Sequence, residues 1–172
     1  MLVPTRLLAL GALTIGLTAC GAPAAPPTPP APPAAPANPL AGVDWATATT
    51  FTCPLPEQKV EVVGTEYGDV TGDGVPDAVV SLTCSTTTSS NPIQVEAFDG
   101  VSDRAHPRSL GVLIEAADPM YVEKAEITIA RSEVTVVGHA VGENEALAAG
   151  PQVRFTQTFT FRDGTLHAGP RR

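Results

Sequence analysis

The chain carries no Gly-x-Ser-x-Gly, no phosphate-binding glycine loop and no His-Glu-x-x-His, so common hydrolase, nucleotide-enzyme and zinc-peptidase signatures are missing. Histidine is scarce: His106, His139 and His167 fall in different stretches, and none has a local metal-ligand spacing. The paired carboxylates Glu143/Glu145 and Asp99/Asp103 sit in turn-rich stretches, where such pairs are ordinarily solvated. Basic residues are few. All eighteen acidic residues follow position 40, and Arg6 leaves with the leader described next, so nine basic residues face eighteen acidic ones, a formal charge of −9. That balance argues against nucleic acid or an anionic bilayer as a partner and suits cations, basic partners or plain solubility. No internal repeat is present, which excludes a multi-bladed propeller. Nor does any apolar run reach across a bilayer. As a helix, Leu7 to Leu17 would span about 17 Å against about 30 Å of hydrocarbon.

That short run follows Arg6 as the apolar part of a secretory leader follows its positive start. Its end, Leu17-Thr18-Ala19-Cys20, resembles a bacterial lipobox, in which small residues precede a cysteine that is diacylated before cleavage. The resemblance implies a leader over residues 1–19, a mature chain starting at lipid-modified Cys20, and a membrane tether outside the cytoplasm. The alternative is an ordinary secretory signal ending near a cysteine. Gly21 to Leu40 is almost wholly proline and alanine, without charge. Proline locks φ and removes amide donors, so this tract reads as extended polyproline II, a stalk of at most about 60 Å at about 3.1 Å per residue. The expected organisation is a leader at 1–19, a lipid-anchored linker at 20–41 and one folded domain at 42–170. Its length, about 130 residues, suffices for one core and not for two.

Within the domain the pattern is mainly strand. Runs at Lys59–Thr65, Ala78–Cys84, Ile93–Phe98, Ser109–Glu115, Ala125–Ala130, Glu133–His139 and Gln152–Phe161, with a short run near Leu166, are separated by turn signals such as Asp99-Gly100 and Asp163-Gly164. Val153, Phe155, Gln157, Phe159 and Phe161 fall on one face, and these aromatics with Trp45 read as core. Short helices are expected near Val43–Ala48 and Asn144–Ala149. Strands this close in sequence pair antiparallel, so the expected fold is a single antiparallel β domain: a meander, sandwich or open barrel. With Cys20 acylated, Cys53 and Cys84 remain, and an even pair in an exported domain reads as a disulfide, the alternative being two buried thiols.

The most informative stretch is Tyr67 to Val80, Tyr-Gly-Asp-Val-Thr-Gly-Asp-Gly-Val-Pro-Asp-Ala-Val-Val. Asp69, Thr71, Asp73 and Asp77 occupy loop positions one, three, five and nine, the Val75 carbonyl adds position seven, and Gly74 at six permits a positive φ. Hard oxygen donors so spaced suit Ca²⁺, and the mutual repulsion of the carboxylates favours a cation. The expected affinity is weak, about 10⁻⁴–10⁻³ M, as in extracellular modules. A metal-free turn, in which Asp and Thr side chains bond nearby amides, is the other reading. The loop resembles EF-hand-like, dockerin-like and FG-GAP-type calcium sites. It departs from the EF-hand at position twelve, where Val80 replaces the bidentate Glu, and at position three, where Thr71 is neutral.

Lipobox, Ala/Pro stalk, first cysteine, this loop and second cysteine, in that order, are similar to exported lipoproteins of high-GC, actinobacterial type. That resemblance implies no activity. The expectation is a lipid-anchored, non-catalytic envelope domain that binds a protein or glycan or serves structurally, with a Ca²⁺-stabilised loop. The rival is an envelope hydrolase acting on glycan or peptide through Asp73 or Asp77.

Overall fold

The computed structural model describes residues 38–86 and 91–172. The leader, Cys20 and the stalk up to residue 37 lie outside the described residues, as does most of the Ser/Thr-rich connection after Cys84. Among the described residues no helix is long and apolar enough to cross a membrane.

Among the described residues eight strands form two four-stranded antiparallel sheets, neither of which closes into a barrel, and the expected mainly β, antiparallel domain is what is found. The first sheet runs in sequence order through β1 (Val60–Gly68), β2 (Asp77–Cys84), β3 (Gln94–Phe98) and β4 (Ser109–Ile114). The second runs likewise through β5 (Tyr121–Ala130), β6 (Glu133–Val141), β7 (Val153–Arg162) and β8 (Thr165–Ala168). Among the described residues helix is confined to α1 (Trp45–Ala48) and a 3₁₀ turn at Leu147–Ala149.

Period-two alternation decides where each side chain goes. In the second sheet one face is apolar. Val134, Val136 and Ala140 of β6 and Phe155 and Phe159 of β7 pack with Val79, Val95, Ala97 and Ile114 of the first sheet in one shared core. The first sheet is covered on its other face as well. There Ala78, Val80, Leu82 and Phe98 meet Leu40 and Trp45 from the segment before β1, with the Trp45 and Phe98 rings 4.6 Å apart. β2 and β3 are therefore buried on both faces, and each fully buried Phe, Leu or Val contributes about 1.5–3 kcal/mol.

Two boundaries differ from the expected 42–170. Leu40, read from the sequence as the end of the linker, is fully buried in the Trp45 cluster, so the packed chain starts earlier. Arg171 and Arg172 belong to the fold too. Arg172 exchanges backbone hydrogen bonds with Thr156, extending the β8 side of the sheet.

The tight hairpins carry the backbone their twist requires. Arg131 and Ser132 have φ of 53° and 57°, and Asp163 and Gly164 have 53° and 79°, the two successive positive values that match a two-residue turn to right-twisted strands. Asp99-Gly100, by contrast, opens a longer connection to β4 rather than a two-residue hairpin.

Cys53 and Cys84 form the expected disulfide, with Cα atoms 5.7 Å apart and a sequence separation of 31. It ties the segment after α1 to the end of β2. Closing a loop of that length contributes about 3.5 kcal/mol in the chain-entropy picture.

Candidate functional site

The acidic loop is the connection between β1 and β2, and its three carboxylates point to different tasks. Asp77, the first residue of β2, is fully buried. Its Oδ2 accepts from the amides of Val70 and Thr71, both at 2.8 Å, and its Oδ1 accepts from the amide of Gly100 at 2.7 Å. One side chain thus closes the loop it follows and ties it to the connection leaving β3. Asp69, just after β1, accepts from the amides of Gly72 at 2.6 Å and Gly74 at 3.0 Å. Asp73 accepts from the amide of Val75 at 2.8 Å, an Asx-type turn. Gly74 has φ of 84°, as the sequence requires of it.

Burial pushes the Asp77 carboxyl above its ordinary value, and the amides of Gly100, Thr71 and Val70 pull it back down. The Thr71 hydroxyl is buried beside that carboxyl without a well-formed hydrogen bond of its own.

Of the expected ligands, Asp69, Thr71, Asp73 and the Val75 carbonyl lie in this loop, while Asp77 at its inner end turns its carboxylate into the fold. Among the described residues no three His, Cys, Asp or Glu side chains are grouped as metal ligands. Asp77 faces inward: its Oδ2 accepts from two amides and its Oδ1 from one, all inside the fold. Asp69 and Asp73 remain near solvent, each already holding amides of the loop. What the geometry makes is a turn closed by its own side chains.

Around it lies a set of buried acids that motif reasoning missed. Asp99, just before Gly100, pairs with Arg108 and accepts from the amide of Val101 at 2.9 Å. Glu96 on β3 is buried and accepts from the hydroxyls of Thr49 and Ser109, each at 2.7 Å. Gly100 is needed here for space. A Cβ on it would lie 2.2 Å from the Pro76 carbonyl oxygen, so only glycine lets this backbone approach the acidic loop. The available signal for Glu96 was a charged residue inside the run Ile93–Phe98, which is otherwise apolar enough to be buried. A buried acid must find partners, so its partners lie on neighbouring elements.

His106 lies in the connection between Asp99 and Arg108, where its amide donates to the Asp103 carbonyl at 2.9 Å, and the other two histidines lie on the second sheet. His139, on β6, has its Nε2 3.6 Å from Glu126 on β5, and His167 Nε2 lies 3.3 Å from the Thr165 hydroxyl. Trp45, Phe155 and Phe159 are core residues.

No family model matches this chain, and no curated protein or solved structure matches it either. What the fold defines is a disulfide-bonded, two-sheet antiparallel β domain whose first sheet is braced by buried carboxylates.

Proposed function

We propose that this chain is an exported, lipid-anchored, non-catalytic module of the cell envelope, serving to bind or to brace a protein or glycan, with the acidic loop as a metal-independent brace. The observation that carries the exported part is the Cys53–Cys84 disulfide, because such bonds persist outside reducing compartments. The lipobox pattern at Leu17–Cys20 and the Pro/Ala tract after it support the anchor. The amide partners of Asp69, Asp73 and Asp77 support a bracing loop over a catalytic one. A general acid or base has to reach substrate, and Asp77 is fully buried with its carboxylate held by backbone amides inside the fold.

Mass spectrometry of the chain expressed in a lipoprotein-processing bacterium tests the anchor. The expected N-terminal peptide begins at Cys20 and carries a diacylglyceryl group, and C20S stays uncleaved and unlipidated. An unmodified N-terminus at or beyond residue 20 in the wild type would overturn the anchor and leave an ordinary secreted domain.

A further inference from the structure

We infer that the paired open edges of β1 and β5 form a docking cleft for a basic, extended peptide segment of another protein, which adds to β1 as a strand. This rests on the reading of the chain as a binding module. β1 ends one sheet and β5 ends the other, and among the described residues neither has a hydrogen-bonded strand on its outer side, although the Ile93 amide donates to the Val122 carbonyl of β5 at 2.9 Å and closes that edge at its start. An unpaired edge presents a row of backbone donors and acceptors that an extended peptide can complete.

The two edges run side by side in the same direction. Glu61 and Glu123 line one hollow, Gly64–Glu66 and Ala125–Ile127 line the next, and Gly68 abuts Ile129 beyond them. The hollows measure about 240 and 250 Å³. Each strand is bulged near its start, β1 between Val62 and Gly64 and β5 between Val122 and Lys124. Past the bulges both strands keep regular register, so the regular edges coincide with the second hollow.

Charge selects the occupant. Glu61 and Glu123 mark the first hollow and Glu66 and Glu126 the second; Lys124 reaches Glu126 at 3.4 Å from the solvent side. Val63 and Tyr67, 55% and 40% exposed, add apolar contact on the same strand. A second copy of the chain is a poor fit, because antiparallel pairing centred on Val63 and Gly64 sets Glu61 opposite Glu66 of the other copy. The chain's own stalk fits no better: it is uncharged, and its prolines lack the amide donors a ladder needs. A peptide alternating Lys or Arg with β-branched residues matches both the backbone edge of β1 and the acidic charge that Glu61 and Glu66 place along it.

The test uses the full lipidated chain in detergent and a fluorescent acetyl-(Lys-Val)₄-amide peptide, followed by anisotropy and by hydrogen exchange. Saturable binding is expected, with new amide protection confined to residues 64–68, and a weakening on the order of tenfold in E66K/E126K at an unchanged melting temperature. Replacing the valines of the peptide with proline, which keeps its charge, should abolish binding. Equal binding of the proline peptide would reduce the effect to diffuse charge attraction and overturn the inference. So would protection elsewhere, absence of binding at millimolar peptide, or concentration-dependent pairing of the chain through β1. The N-terminal mass is read separately, so failure here leaves the anchored-module reading standing.

Discussion

Replacing Asp77 with alanine leaves three backbone amides, those of Val70, Thr71 and Gly100, without their acceptor. Val70 is fully buried and Gly100 is pressed against the Pro76 carbonyl, so water cannot readily take the place of the carboxylate at either. A buried donor left unpaired costs about 1–3 kcal/mol, and water can reach the part-buried Thr71 amide, so two to three such losses sum to about 3–5 kcal/mol. The side-chain cavity adds to this, while removing a buried charge subtracts from it. Near this domain size 1 kcal/mol moves the melting temperature by about 3–5 °C, so D77A should melt at least about 10 °C lower. D77N keeps one acceptor and loses the charge, and should fall between wild type and D77A. D69A is the control, because its amides are exposed and recover water, limiting the loss to about 1 kcal/mol. Thermal and urea unfolding of the three variants measure this order. A D77A midpoint within about 2 °C of wild type, or a D69A effect as large as that of D77A, would refute the role assigned to Asp77.

G100A should cost about 2 kcal/mol or more by urea unfolding, because its methyl group meets the Pro76 carbonyl at 2.2 Å; a neutral result would show that the two connections do not touch. C53S/C84S should lose about 3.5 kcal/mol, and the denatured, non-reduced wild type should show no free thiol from these two cysteines. Arg171 pairs with Asp118, donates to the Gln157 side chain at 2.8 Å and lies 4.6 Å from the centre of the Phe155 ring, so R171A should cost about 1–3 kcal/mol. The arginine holds the Asp118 carboxyl below its ordinary value, 3.8. A depressed carboxyl contributes stability that is present above that value and lost as pH falls through its folded one, so the wild-type advantage over R171A should shrink below about pH 4. Asp77, whose carboxyl is raised, contributes in the opposite sense: its share is full below the ordinary value and declines as pH rises through the folded one.

The strands of the second sheet were legible because one face of each is apolar and alternation reports that directly, while β2 and β3, buried on both faces, were legible as short, largely apolar runs between turn signals. Their ends were less so. β5 starts at Tyr121, ahead of the expected Ala125, because the bulge around Glu123 breaks the alternation that marks a strand. Leu40 was hidden by the composition around it, since one apolar residue at the end of a Pro/Ala tract carries no periodicity. At the acidic loop, spacing fixed the sequence distances among Asp69, Asp73 and Asp77 but not which way each carboxylate turns. That direction is set by the amide of Gly100, 23 residues beyond Asp77 in sequence. The Arg171–Asp118 pair spans 53 residues and has no local signal at all.

The most direct test of the brace is the melting temperature of the wild-type chain in millimolar Ca²⁺ and in chelator. A loop closed by its own amides should give the same midpoint in both, with Mg²⁺ at equal ionic strength as the control. A cage would behave differently: at ten times its Kd, calcium would add about 1.4 kcal/mol, a rise of a few degrees. A saturable, calcium-specific rise of that size, lost in D73N, would contradict the brace and restore Asp69, Thr71, Asp73, Val75 and Asp77 as ligands.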